Sequence, residues 1–524
     1  MLKLSGKSSL DLRLFGLLLL CAAWLVPGLI GHAPWKGGDG EHFVRLWQML
    51  QHGDALPPDL AVPPLYYKVA AGTAWLAAPV LDLANGARLA SGLFVALAVF
   101  FVARTARVLY GGEASWAAAL GLLGCFGLLV HGHELNADTA ELAAAAIILY
   151  AIARLPHAVH WGWALAFGVA LMLLAGGAAK ALLFLALGAF LPILLPDYRT
   201  RIAGRALALG IVGAVVFAAA WFVFLETRGM PWRRVFDLER WLGGGEKKPL
   251  YFPSILGWYA WPVWPLAAWA VYRERRRWRT VGIVLPSSAL LALLGLYAFA
   301  ADPAPDQGLL LLLPLTLLGA IGLFTLRRGA ANALLWFAVM LFGFIGLVLW
   351  VYWSAHDLGM PARLAARLSK LGLTHVGELR PWTLVLGVGV TATWIAFLGK
   401  VSRSPLRPIL VWTAGITFIW VLLMALFQAP LDRRLSYEGV AEALAARVPA
   451  SECIQTHQVR QQQRVLLAYH SGLRFIPTDV GCNWLLVETR RREPLPHIAP
   501  EWVKRWEGAR PGDRSDRFHL YARD

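Results

Sequence analysis

Residues 13–43 read RLFGLLLLCAAWLVPGLIGHAPWKGGDGEHF. Up to Ala33 this stretch holds a single charge, at Arg13, and as a helix it is long enough to cross about 30 Å of hydrocarbon. Directly behind it a glycine-rich turn carries Lys36, Asp39 and Glu41. The same sequence of apolar run and polar loop recurs to residue 428. It predicts thirteen spans, at about 13–33, 87–103, 113–131, 137–153, 161–178, 179–196, 206–225, 252–272, 281–300, 309–326, 332–353, 382–399 and 408–428. With 58% hydrophobic and only 15% charged residues in 524, the composition excludes a cytosolic enzyme and implies an all-α polytopic membrane protein.

The chain has 49 Lys and Arg against 32 Asp and Glu, net +17, of which only 15 against 12 fall after residue 428. The excess lies in short loops beside spans, which is a topology signal, so no nucleic-acid partner is expected. With a cytoplasmic N-terminus, the inner loops collect 19 basic residues, among them Arg273, Arg275, Arg276, Arg277 and Arg279. The short outer loops at 131–137, 174–180 and 301–308 hold only Lys180. This threading requires that 64–84, which follows Pro63 and contains Lys68 and Asp82, stay re-entrant or interfacial. Loops 34–86, 226–251 and 354–381 then lie outside, with a membrane domain at 1–428 and a small outer α/β domain at 429–524. In the latter the pattern predicts helices at 436–447 and 460–470 and strands near 453–458, 473–478 and 484–488. Cys21 and Cys125 read as core residues of spans. Cys453 and Cys482 open two tail strands; an oxidising compartment would let them pair, and the spacing is equally compatible with free thiols. The first run lacks a small-residue cleavage site and reads as an uncleaved span.

Chemistry concentrates on the outer side. Asp39 and Glu41 stand at the membrane boundary, where a carboxylate suits a general base toward an acceptor hydroxyl or amine; Asp39 reads equally as a helix cap. The following stripe of Phe43, Leu46, Trp47 and Leu50 is expected to lie on the bilayer surface. In the loop 131–139, His133, Glu134 and Asp138 offer ligands for a divalent metal or a site that orients an acceptor, while Asn136 or Asp138 could instead cap the next span. Lys180 follows Gly176-Gly177 and reads as a phosphate partner or as a side chain snorkelling to headgroups. Arg228, Arg234 and Arg240, interleaved with Trp232 and followed by Tyr251, suit a lipid-linked phosphate and a stacked sugar, or an aromatic belt on anionic headgroups. Arg363, Arg367 and Lys370, opposite Leu364, Leu368 and Leu371, predict another interfacial helix.

Six landmarks in order resemble those of the GT-C membrane glycosyltransferases, specifically the bacterial aminoarabinose transferases and protein O-mannosyltransferases. They are the loop Asp39–Asp54, the Pro-Pro-Leu-Tyr-Tyr at 63–67, the loop His133–Asp138, the glycine turn with Lys180, the stretch Pro249–Pro265 and the run Leu309–Leu315. They cover most of residues 10–330. The resemblance implies a GT-C fold and inverting transfer of a sugar from an undecaprenyl or other polyprenyl phosphate donor. The acceptor would be a lipid such as lipid A, a glycan or a protein, at the outer face of a bacterial inner membrane. Asp39 would be the catalytic carboxylate with Glu41 beside it, and Asp138 the second-loop acid. Lys180 would be the lysine of the glycine turn, with Lys68, Arg228, Arg234 and Arg240 as further phosphate partners. Tyr66, Tyr67, Trp232 and Tyr251 are the candidate stacking rings, and a monomer is expected. The chain departs from the pattern at Val62, where a lysine commonly precedes the proline pair, at Gly40, where an acid commonly follows the first Asp, and at Asp306-Gln307, where a basic residue commonly stands. A transporter or lipid flippase is the competing class, but no half-to-half similarity is visible and the polar residues cluster in loops, not mid-span.

Overall fold

A computed structural model describes residues 6–52, 62–236, 238, 241, 245–370, 381–477, 481–490, 496–513 and 515–523, with side chains from residue 14 onward. Its helices are α1 (Gly6–Leu25), α2 (Gly38–His52), α3 (Pro64–Ala77), α4 (Leu83–Tyr110), α5 (Gly112–Leu123), α6 (Phe126–His131), α7 (Asp138–Arg154), α8 (Trp161–Leu174), α9 (Ala178–Leu194), α10 (Arg201–Thr227), α11 (Trp232–Val235), α12 (Tyr251–Tyr259), α13 (Val263–Arg273), α14 (Val281–Tyr297), α15 (Leu309–Phe324), α16 (Arg328–Asp357), α17 (Ala362–Lys370), α18 (Pro381–Lys400), α19 (Arg407–Leu435), α20 (Glu438–Ala445) and α21 (Gln461–Ser471). The chain forms two compact units, one of residues 1–29, 48–343 and 393–420, the other of residues 30–47, 344–392 and 421–524.

Among the described residues six helices are long and apolar enough to cross a membrane: Leu83–Tyr110, Arg201–Thr227, Asp306–Phe324, Arg328–Asp357, Pro381–Lys400 and Arg407–Leu435. Shorter apolar helices run at Leu14–Leu25, Trp161–Leu174, Ala178–Leu194 and Val281–Tyr297. Large apolar side chains stand uncovered along α10 and α16, with Val216 63% and Met340 72% exposed. Surface of that kind is stable against lipid tails, and a helix satisfies its own backbone there.

Two expected spans are each split. Residues 113–131 form α5 and α6, separated at Gly124-Cys125, where the Gly124 carbonyl accepts from the Trp412 indole at 2.9 Å. A Cβ on Gly127 would fall 2.3 Å from the Tyr259 ring, so α6 and α12 meet closer than any side chain allows. Residues 252–272 form α12 and α13, interrupted at Trp261-Pro262, since proline lacks the donor a continuing helix needs. The segment 64–84 is the 14-residue helix α3 followed by a turn in which Asp82 accepts from the Asn85 amide and caps α4. A Cβ on Gly86 would lie 2.8 Å from the Ala74 Cα, so α3 packs tightly along α4.

The tail holds one five-stranded sheet in the order β2-β1-β3-β5-β4, built from Cys453–His457 (β1), Arg474–Ile476 (β2), Trp484–Arg490 (β3), Trp502–Gly508 (β4) and Asp516–Arg523 (β5). β1 pairs parallel with β2 and β3, and β5 pairs antiparallel with β3 and β4. Ile454, Leu486, Val487, Phe518 and Leu520 are buried on the sheet, and Leu466 and Leu467 are the buried face of α21. Cys453 and Cys482 form a disulfide. The pattern missed β4 and β5, whose runs mix Lys, Arg, Asp and His with the apolar residues.

Candidate functional site

The glycine-rich turn after α1 is a worked piece of structure. Gly37 has φ +97°, a left-handed conformation open to glycine, and lets the chain turn into α2. Asp39 lies inside the first turn of α2, not at its cap. It is 1% exposed, and its Oδ2 accepts from the Trp35 amide at 2.8 Å. Trp35 is itself fixed: its indole donates to Asp432 Oδ1 at 3.0 Å, its ring stacks on His32 at 4.0 Å, and Asp432 Oδ1 also accepts from the Ala33 amide at 3.1 Å. Glu41 is exposed.

Tail residues hold the same turn from a second side. The Lys36 amide donates to the Leu435 carbonyl at 2.9 Å, the Lys36 ammonium lies 3.5 Å from Asp513, and Gln462 donates to the Gly37 carbonyl at 3.0 Å. Position 40 has to be glycine, because a Cβ there would sit 2.6 Å from both the Gln462 amide and the Trp35 carbonyl. The departure noted in the sequence at Gly40 therefore has a steric cause. Phe43 and Trp47 pack on Tyr469 at 4.7 and 5.2 Å, which corrects the expectation that their stripe lies on the bilayer. Leu50 alone of the four is exposed.

Asp513 is paired with Arg510, which stacks its guanidinium 4.5 Å over Tyr437 and lies 3.4 Å from Asp516. Burial raises the Asp513 pKa, but hydrogen bonds from Ser515 and the charges of Arg510 and Lys36 outweigh it and hold the carboxyl down to about 2. Burial pushes Glu488 up, against a hydrogen bond from Gln463 and the charge of Arg460.

In the other unit, Lys180 is 1% exposed and ion-paired with Glu141 of α7. Burial and pairing exclude the snorkelling reading. The turn that delivers it is glycine by necessity: Gly176 has φ +92°, and a Cβ would meet Pro63 at 2.6 Å, while on Gly177 it would meet Met172 at 2.6 Å and the Glu141 carboxylate at 3.0 Å. Arg88, fully buried in α4, donates to Asn85 at 3.0 Å. Glu141 and Arg88 escaped the sequence reading, although a charge inside an apolar run is itself a signal.

His133 is buried between the rings of Trp24 and Trp420 at 4.4 and 4.6 Å, with its nitrogens 2.8 and 2.7 Å from the Leu129 and Trp24 carbonyls. A metal ion bound at either nitrogen would have to displace the carbonyl there. Among the described residues no three His, Cys, Asp or Glu side chains gather closely enough to hold a metal. Asn136 Oδ1 accepts from the Asp138 amide at 2.9 Å just ahead of α7, whose N-cap position is Ala137, so the half-buried Asp138 carboxylate does not cap the helix. The Glu134 carbonyl accepts from Ser91 at 2.7 Å.

Tyr66 and Tyr67 are buried and not presented for stacking. Since the Ser91 hydroxyl proton goes to Glu134, the Tyr66 hydroxyl at 2.8 Å donates to Ser91 and accepts from the Asn136 amide at 2.9 Å. This chain ties α3, α4 and the second loop together. Lys68, Arg228 and Arg234 are exposed, with Arg228 5.6 Å over Phe224. Trp232 meets Phe222 edge-on at 5.5 Å and Tyr251 meets Phe252 at 5.2 Å. Arg240 lies outside the described residues, as does Leu371; α17 presents Arg363, Arg367 and Lys370 exposed with Leu368 buried.

No protein-family model matches the chain, and no curated protein sequence matches it. Solved structures do. The crystal structure of ArnT from Cupriavidus metallidurans bound to undecaprenyl phosphate matches with a TM-score of 0.65 at 16% identity, over 98% of this chain and 98% of that one. The apo state of the same protein matches with a TM-score of 0.63 at 15% identity, over 99% and 98%. The architecture described above, a polytopic helical body with a small C-terminal sheet domain, is therefore an ArnT-like fold.

Proposed function

We propose that the chain is an inverting glycosyltransferase that moves a sugar from a polyprenyl phosphate, undecaprenyl phosphate in bacteria, to a lipid, glycan or protein acceptor. The reaction would take place at the outer face of the inner membrane. The observation that carries this reading is the buried Asp39 carboxylate, held by a main-chain donor in the loop after the first apolar helix, in a fold that ArnT uses with undecaprenyl phosphate bound. The tail disulfide supports an oxidising outer side.

In the proposed reaction the acceptor X–H gives its proton to Asp39 as X attacks the anomeric carbon. The X–C bond forms, the bond from that carbon to the phosphate oxygen breaks, and the electron pair leaves with the polyprenyl phosphate. Fixing the base beforehand supplies orientation that solution lacks. Lys180 would stabilise the departing phosphate, which requires the phosphate to share or replace its contact with Glu141. Lys68, Arg228, Arg234 and Arg240 are candidates to draw the anionic head to the site. Asp138 would orient the acceptor, and Trp232 and Tyr251 are the rings left for stacking.

The test compares lipid A, polysaccharide and envelope proteins by mass spectrometry in cells carrying the wild-type chain or Asp39→Asn at equal membrane abundance. A sugar-sized mass present only with the wild type identifies donor and acceptor together. Identical profiles in all three fractions contradict the proposal.

A further inference from the structure

We infer that Trp35 and Asp432 are positioning residues for Asp39, acting through a relay that runs from the end of the last apolar helix to the catalytic carboxylate. The inference rests on the reading of Asp39 as the base, and its geometry stands apart from that reading. Asp432 Oδ1 holds the Ala33 amide at 3.1 Å and the Trp35 indole at 3.0 Å; the Trp35 amide in turn holds Asp39 Oδ2 at 2.8 Å. One residue thus uses its side chain to anchor itself and its main chain to aim the carboxylate. The Trp35 ring has two fixed faces of attachment, the indole N–H on Asp432 and the stack on His32 at 4.0 Å, so rotation about its side chain is blocked.

Asp432 is well placed to anchor. It lies in the last turn of the 29-residue helix α19, three residues before Leu435, whose carbonyl accepts from the Lys36 amide. The turn is therefore held at Ala33, Trp35 and Lys36 by one helix end, 397 residues away in sequence from the indole it binds. A charged acceptor makes the stronger hydrogen bond, and a rigid helix end transmits position better than a loop.

Sugar transfer and amide hydrogen exchange, both measured on the full chain in membranes, test this. Trp35→Phe removes the indole donor while keeping a ring for His32 and the main-chain N–H for Asp39. Asp432→Ala removes the acceptor, and Asp432→Asn keeps an oxygen in its place. The relay predicts that Trp35→Phe and Asp432→Ala each lower kcat by roughly 10- to 100-fold with KM for the donor little changed, as expected for lost orientation. The double variant should be no slower than the worse single one, because both delete the same contact. Asp432→Asn should regain most of the turnover that Asp432→Ala loses. In parallel, the Trp35 amide should exchange faster in Trp35→Phe, read at the Phe amide, and in Asp432→Ala, but not in Asp432→Asn.

Additive losses in the double variant, or unchanged exchange at position 35 in Asp432→Ala, would overturn the relay. The exchange arm needs no turnover, so it separates the two claims. Full transfer by Asp39→Asn beside faster exchange in Asp432→Ala sinks the assignment of Asp39 as base, and with it a catalytic purpose for the relay, while leaving the contacts in place.

Discussion

Removing the ammonium of Lys180 would take an ion-pair partner from the buried Glu141 carboxylate. Breaking one half of a buried ion pair costs about 3–5 kcal/mol, whereas replacing both halves by apolar side chains is often neutral. Lys180→Met is therefore expected to lower thermal stability sharply, and Lys180→Met with Glu141→Leu to recover most of it. Donor binding separates the structural role from the functional one. If Lys180 also meets the phosphate, the stable double variant stays unable to bind a polyprenyl phosphate; native mass spectrometry showing the lipid bound as in the wild type would leave the pair purely structural. Lys180 was legible in the sequence because a lysine after two glycines between apolar runs is conspicuous. Glu141 was not, because its partner stands 39 residues away and nothing local marks the pairing. The same holds for Asp39, whose loop is conspicuous, and Asp432, which reads locally as an ordinary charge at a helix end.

At the scale of elements, the boundaries of most helices follow from the apolar runs, and the places where they fail have physical causes. Trp261-Pro262 breaks a run that hydropathy alone joins, and the glycines at 124 and 127 serve a close approach that hydropathy does not register. The turn at Gly176 offers a direct check. A left-handed φ and a Cβ clash with Pro63 predict that Gly176→Ala destabilises by about 1–3 kcal/mol, seen as a lower unfolding temperature of the purified chain; an unchanged temperature would mean that the turn adapts. In the tail domain, Asp513 has its pKa below the ordinary 3.8, at about 2. Its stabilisation is complete above the ordinary value and is lost as pH falls from about 4 to about 2, on the order of 2 kcal/mol in all. Tail unfolding followed by exchange in peptides 502–523 should show this acid limb, and Asp513→Asn should flatten it; an equally steep limb in the variant would assign it to another group. The disulfide closes a loop of separation 29, so Cys453→Ser with Cys482→Ser should cost the tail about 3–4 kcal/mol in the same measurement, and no change would show the bridge to be dispensable.

For the molecule as a whole, the fold class was legible because lipid imposes a simple grammar: twenty apolar residues, a charged loop, and again. The sheet of the tail was legible only in its first three strands, whose apolar runs (Leu485-Leu486-Val487 in β3, Phe475-Ile476 in β2) stand out from their surroundings. The ArnT-like fold gives the surroundings in which a single carboxylate at position 39 acquires meaning, and the account stands on that carboxylate turning over a lipid-linked sugar. The most direct test uses membranes of the source cell, where the account expects the native donor. Wild-type and Asp39→Asn chains are added at equal amounts, and sugar-linked and free polyprenyl phosphate are quantified over time by mass spectrometry. The account predicts that the wild type converts the sugar-linked lipid to free polyprenyl phosphate while Asp39→Asn leaves it intact; equal consumption by the two, or consumption by neither, would contradict it.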